Sequence, residues 1–231
     1  MKLLGMFARQ PVSGKTKTRL AATIGNDPAA VLYSAFVEDL LGRCPLHSDV
    51  FVVAATPNDS ETSDWFRSRM NAESALTFQP DGNLGEKIEW FFQDANKRGA
   101  QKTILIGSDS PDLPSEIIDL AFERLSEVDM VIVPATDGGF VLIGLRKPVK
   151  NLFSSISWSS GRTLIDTLQQ ASVCQLTVEL LSPWYDIDTV QNLGTLVALQ
   201  QCPETGAAAC LKTQAALKLL APEIDAGLDI S

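Results

Sequence analysis

The chain has 231 residues, a formal net charge of −9, 45% hydrophobic residues and four cysteines, enough for one sizeable core and short for two domains. No apolar run reaches the ~18 residues or more that indicate a membrane span, and the acidic balance argues against nucleic-acid binding over a broad basic face. Cys44, Cys174, Cys202 and Cys210 form no Cys-x-x-Cys pair and fit a reducing cytoplasm, while the single histidine, His47, leaves little for an imidazole metal site or a Ser-His-Asp triad.

The first predicted strand, Lys2 to Ala8, is too short an apolar segment for a secretory signal. It runs into the loop Phe7-Ala8-Arg9-Gln10-Pro11-Val12-Ser13-Gly14-Lys15-Thr16-Lys17-Thr18-Arg19. The first 26 residues hold Lys2, Arg9, Lys15, Lys17 and Arg19 and no acidic residue, although the chain as a whole is acidic. A strand, a Gly/Pro/Ser turn with spaced cations and a helix start can bring N–H groups and basic side chains together on phosphate. Gly14-Lys15-Thr16 looks like the end of a Walker A loop, but the glycine required five residues before the Gly-Lys pair is Arg9, and Pro11 removes an N–H.

Further along, helix-period stretches are expected from about Pro28 to Arg43, Glu61 to Met70, Gly85 to Arg98 and Ser115 to Glu127. Strands are expected near Val50 to Ala55, Ala75 to Gln79, Thr103 to Gly107, Met130 to Pro134 and Phe140 to Gly144. A helix near Arg162 to Gln170, a short strand around Cys174 to Leu180 and a helix from Val190 to Gln200 follow. Beyond the breaker cluster Cys202-Pro203-Glu204-Thr205-Gly206, the Ala-rich segment Ala207 to Leu220 reads as a C-terminal helix and Pro222 to Ser231 as a loose tail. Continuous apolar runs alternating with amphipathic ones predict an α/β fold, a mostly parallel sheet with helices on both faces. Residues 1–200 form its domain, and residues 201–231 form a helical extension packed on it.

Several stretches carry candidate chemistry. Ile104 to Gly107 ends at a small-residue turn, Ser108-Asp109-Ser110-Pro111-Asp112, where ligands of open α/β sheets sit, and a carboxylate there suits Mg²⁺ or Mn²⁺ on phosphate oxygens. Asp109 could equally cap the following helix. Asp137-Gly138-Gly139 joins two apolar runs as a hairpin turn, and Asp137 is placed to reach an acceptor. Asp186-Ile187-Asp188 sets two carboxylates on one side of an extended backbone, with Asp188-Thr189 also a fair helix cap. Asp81-Gly82-Asn83-Leu84-Gly85-Glu86-Lys87 is a loop leading into a helix N-terminus, mostly explained by capping.

Taken in order, Phe7 to Pro11, Gly14 to Arg19, Leu84-Gly85-Glu86-Lys87, Ile106 to Leu113, Asp137-Gly138-Gly139-Phe140, Ile156-Ser157-Trp158-Ser159 and Asp186-Ile187-Asp188-Thr189 resemble the GT-A-like nucleotide-diphospho-sugar transferase superfamily. They are most similar to a bacterial family of glycosyltransferase-like proteins that includes some associated with arsenosugar biosynthesis, and related to phospholactate and molybdenum-cofactor guanylyltransferases. The resemblance spans roughly Lys2 to Leu199. It implies a single-domain, Rossmann-like GT-A fold whose nucleotide site draws on Ala8, Arg9, Gly14, Lys15, Lys17, Arg19, Gly85, Glu86, Lys87 and Ser108. It places Asp109 where the metal-binding Asp-x-Asp aspartate belongs, although Asp109-Ser110-Pro111-Asp112 is not a strict Asp-x-Asp, and it puts lysine at position 87 where arginine is more usual.

The function expected on these grounds is metal-dependent transfer of a glycosyl group from a nucleoside diphosphate sugar to a small acceptor. Asp109 and Asp188 are the expected ligands of Mg²⁺ or Mn²⁺, Asp109 and Asp137 the expected catalytic residues, and Asp137, Gly138, Gly139 and Trp158 the acceptor pocket. Nucleotidyl transfer with release of pyrophosphate is the alternative, and a non-catalytic nucleotide-binding protein the second. The expected partners are a nucleotide or nucleotide sugar and a small acceptor, in a cytoplasmic monomer or homodimer.

Overall fold

The computed structural model describes residues 1–202, 204 and 206–221. The tail Pro222 to Ser231, expected to be loose, lies outside the described residues. The strands are β1 (Lys2–Arg9), β2 (Val50–Thr56), β3 (Ala75–Phe78), β4 (Lys102–Ile106), β5 (Met130–Pro134), β6 (Phe140–Leu145) and β7 (Val178–Leu180). The helices are α1 (Thr18–Ile24), α2 (Asn26–Arg43), α3 (Ser60–Arg67), α4 (Leu84–Lys97), α5 (Ser115–Arg124), α6 (Thr163–Val173), α7 (Val190–Gln200) and α8 (Leu211–Leu219).

The strands form one sheet in the order β3-β2-β1-β4-β6-β5-β7. β1 pairs in parallel with β2 and β4, and β6 runs antiparallel to both β4 and β5. β1, β2, β4, β5 and β6 read as near-continuous apolar runs because both faces are covered. Along β1, Leu4, Met6 and Ala8 enter one core with α2 and α5, while Leu3 enters a second core with α4. After β1 the chain steps outward through β2 to β3, then crosses back to lay β4 on the other side of β1. The carboxyl ends of β1 and β4 therefore flank a topological switch point, where a crevice opens in this class of sheet.

Several expected boundaries move. The segment before Pro28 holds its own helix, α1, separated from α2 by Gly25 at φ 92. The expected strand from Cys174 shortens to β7, because α6 continues to Val173 and Gln175 turns the chain with φ 58. The helices expected to reach Met70 and Glu127 stop at Arg67 and Arg124.

The C-terminal helix begins at Leu211 and not at Ala207. The preceding backbone is drawn into tertiary hydrogen bonds, from Ala208 N–H to Asp112 O and from Cys210 N–H to Gln200 Oε1. α8 has no cap of its own at Cys210. Asp39 of α2 does that work from outside, accepting from Lys212 N–H at 2.9 Å and Thr213 N–H at 2.8 Å. Among the described residues, no helix is long and apolar enough to cross a membrane.

A capping carboxylate at a helix N-terminus is worth about 1 kcal/mol or a little more. Asp39→Ala is expected to speed amide exchange across 211–219 while β1 and β4 remain protected, as read by hydrogen-exchange mass spectrometry.

Candidate functional site

Lys17 closes the basic loop as the residue before α1, with a left-handed backbone (φ 49, ψ 45) that is unfavourable for any residue with a Cβ. Its side chain is 4% exposed, with Nζ 2.6 Å from Asp109 Oδ1 and 2.9 Å from Asp188 Oδ1. The Tyr33 and Phe36 rings lie 5.9 Å from the same ammonium, within cation–π range. Burial opposes the charge, but the charges and hydrogen bonds of Asp109 and Asp188 outweigh it and hold the ammonium above the usual lysine range.

Asp109 stands just beyond β4, and Asp188 arrives on the segment 182–189. That segment, a strap across the end of the strand, is fastened to the β4 exit at three residues, Asp109, Ser110 and Asp112. Ile187 N–H donates to Asp109 O at 2.9 Å, Ser110 Oγ lies 2.8 Å from Asp186 Oδ1, and Asp112 accepts from Trp184 Nε1 and Tyr185 Oη. Asp112 is completely buried. The second acidic residue of Asp109-Ser110-Pro111-Asp112 thus braces the strap from behind, and only the first points into the crevice. Thr189 then starts α7 with a capping box to Asn192.

Two cavities adjoin at this point. The first, about 310 Å³, is lined by Arg9, Lys15, Lys17, Arg19, Asp109 and Asp188, with Tyr33 and the threonines at 16 and 18. The second, about 400 Å³, has an aromatic wall of Phe140 and Trp158, whose rings meet edge to face at 6.4 Å. Asp137, Asp186 and Asp188 supply its carboxylates and Ser159 and Ser160 its hydroxyls. Arg19 and Asp188 belong to both cavities.

Several expected site residues stand one layer back. Ser108 bonds Tyr33 Oη at 2.7 Å, which in turn accepts from Arg9 N–H, and Ala8 is buried in the core. Glu86 closes a capping box with Asn83. A Cβ on Gly85 would lie 2.7 Å from both Phe153 O and Trp158 Nε1, so this glycine lets the helix approach the loop carrying the aromatic wall. Gly138, at φ 93, makes the β5–β6 turn and packs against the Gly161 backbone. Gly14, Gly85, Glu86, Lys87 and Gly138 do not line the two cavities.

Asp186 carries no assigned role in the sequence, where only Asp188 of this pair is an expected metal ligand. Burial and then the charge of Asp109 push its pKa up to about 7. Its alternation with Asp188 was visible in the sequence, whereas its burial beside Asp109 depends on the strap. Tyr33, on α2, gave no sequence signal. Its hydroxyl is pushed up to about 12 by burial and by Asp109.

The family described as "Uncharacterized protein conserved in bacteria (DUF2064)" matches residues 43–160. The chain belongs to the DUF2064 family. It is also 30% identical to a crystal structure from Desulfovibrio desulfuricans described as a "putative nucleotide-diphospho-sugar transferase", with a TM-score of 0.88 over 97% of this chain and 96% of that one. A cytidylyltransferase from Leptospira borgpetersenii serovar Hardjo-bovis superposes with a TM-score of 0.56 at 14% identity, covering 96% of each chain. A 4-diphosphocytidyl-2C-methyl-D-erythritol synthase from Anaerococcus prevotii gives 0.57 at 11% identity, over 87% of this chain and 96% of that one. These last two share the fold alone. Comparison with curated proteins finds no match. This DUF2064 chain therefore has the single-domain α/β fold of nucleotidyltransferases and GT-A enzymes.

Removing a buried carboxylate that satisfies two donors leaves both unpaired, at a cost of about 2–4 kcal/mol. Asp112→Ala is expected to lose stability on that scale in urea denaturation and to expose Trp184, read as a red shift of tryptophan emission.

Proposed function

We propose that this protein is a nucleotide-dependent transferase that binds a nucleoside diphosphate sugar and passes its glycosyl group to a small hydroxyl-bearing acceptor. The observation that carries the reading is the pair of adjoining cavities: a diphosphate among Arg9, Lys15 and Arg19 would place its attached sugar beside the aromatic and acidic wall. The likeness to the Desulfovibrio desulfuricans protein supports the same donor class.

Mg²⁺ or Mn²⁺ is proposed as the cofactor, held by Asp109 and Asp188. Among the described residues, no three or more His, Cys, Asp or Glu side chains are grouped to hold a metal by themselves. Two carboxylates, 41% and 38% exposed, fit an ion that takes its remaining ligands from phosphate and water. When bound, it would offset the charge developing on the leaving diphosphate.

The chain's own residues supply the rest. Arg19 and Lys15 face that same charge as the sugar's bond to the diphosphate breaks and the nucleoside diphosphate departs with the bonding pair. The acceptor oxygen bonds to the anomeric carbon, and its proton passes to a carboxylate. Asp186 has the better position for this, being half-buried in the second cavity and oriented by Ser110. Asp137 is more exposed and already accepts from Gly139 N–H at 2.9 Å through one oxygen, which suits orientation of the acceptor. Trp158 and Phe140 offer apolar faces to a sugar ring.

A second reading, nucleotidyl transfer, is favoured by the four cations around the first cavity, Arg9, Lys15, Lys17 and Arg19, which suit three phosphates as well as two. There an acceptor oxygen attacks the α-phosphorus and pyrophosphate leaves.

Thermal unfolding with a panel of NTPs, NDPs and NDP-sugars, each with Mn²⁺, Mg²⁺ or chelator, separates the readings. A metal-dependent rise in Tm with one NDP-sugar is expected. Pyrophosphate release from an NTP with a phosphorylated acceptor would move the assignment to nucleotidyl transfer, and no shift with any nucleotide would overturn both. With the donor identified, Asp186→Asn is expected to lower kcat about 100-fold or more and to leave the donor's thermal shift in place, measured by steady-state product formation.

A further inference from the structure

We propose that Lys17 is an internal counter-ion that competes with the divalent metal for Asp109 and Asp188, so that the metal enters together with the substrate's phosphates and not ahead of them. The proposal rests on the metal-dependent reading above and adds the order and coupling of binding.

The geometry carries it. Lys17 Nζ touches one oxygen of each carboxylate, at 2.6 and 2.9 Å, so it already engages the two groups that would hold the metal. Its placement is also costly to maintain. A non-glycine residue is held in the left-handed region, and a lysine side chain is buried to 4% exposure. Lys15, on the same loop, is exposed, and the Arg19 side chain is 76% exposed. A lysine serving only to attract phosphate from solvent needs neither the strained backbone nor the burial. The contacts with both carboxylates and with the Tyr33 and Phe36 rings account for both.

Two neighbouring carboxylates repel each other when unpaired, and the Lys17 ammonium relieves that repulsion without a metal. Lys17 also lines the first cavity. A diphosphate bound there offers the ammonium a second anionic partner. As Lys17 turns to it, the carboxylates are freed for an ion that completes its coordination with phosphate oxygens. By linkage, phosphate then raises metal affinity and metal raises phosphate affinity to the same extent.

The test is Mn²⁺ binding to the full chain, followed by the electron paramagnetic resonance signal of free Mn²⁺. It is run first with Mn²⁺ alone and then with inorganic pyrophosphate at matched free Mn²⁺. Lys17→Met is expected to bind Mn²⁺ alone about tenfold more tightly than wild type and to lose most of the enhancement that pyrophosphate gives wild type. Lys17→Gln, which keeps a polar head without the charge, should do the same and guards against a packing defect in the first variant. Arg19→Met, which removes a mostly exposed cation 3.8 Å from Asp188 Oδ2, should change Mn²⁺ affinity far less. Equal Mn²⁺ affinity in wild type and both Lys17 variants, with pyrophosphate still enhancing binding, overturns the competition and leaves the metal-dependent reading standing. No Mn²⁺ binding in any of these proteins, with or without pyrophosphate, overturns both.

Discussion

An ammonium group almost removed from water has to be paired, and Lys17 meets that requirement with two carboxylates drawn from distant parts of the chain. One comes from the exit of β4 and the other from the strap before α7. Asp188 would not face the lysine unless the strap lay across the end of β4, and the strap lies there because Asp112, Ser110 and the Asp109 carbonyl hold it in successive contacts. The charge cluster at the crevice and the buried network behind it are parts of one construction. Breaking the network would unpair the charges, and unpairing the charges would remove a reason for the strained backbone at Lys17.

The sheet order explains why this happens at one place. β1 and β4 are neighbours, but the chain leaves them for opposite halves of the sheet, so the loops that follow them diverge and open a crevice. The basic loop after β1 forms one wall and Asp109 the opposite one. The antiparallel strand β6 then brings the Asp137 turn to the same end of the sheet, and the loop from Phe153 to Gly161 closes the second cavity. Opposite charge on the two walls gives the first cavity its character, while aromatic rings and carboxylates give the second a different one. The proposed donor, with its anionic diphosphate and its sugar, would match that division.

Much of this was legible in the chain. Five of the seven strands are continuous apolar runs that can be buried on both faces, and the hairpin at Asp137-Gly138-Gly139 follows from turn chemistry. The basic loop showed itself as a concentration of cations in an acidic protein. Other features were not legible, and for separate reasons. Residues Ala207 to Cys210 have helical propensity, but hydrogen bonds to Asp112 and Gln200 draw them out of the helix. Gly85, Glu86 and Lys87 fit a phosphate-binding helix start as well as a capping box packed under Trp158, and local sequence does not separate the two.

Taken alone, the sequence determined the fold class, the end of the sheet at which the charged side chains gather and the kinds of side chain present there, because these follow from local periodicity and composition. Tertiary structure alone decided which carboxylates meet. Asp109, Asp112, Asp186 and Asp188 are the same residue type, two on each of two short segments. Their different positions, with Asp112 buried as a brace, Asp186 half-buried beside the second cavity, and Asp109 and Asp188 shared by Lys17, come from how the strap crosses β4. Burial and pairing are properties of that crossing, and no single segment encodes it.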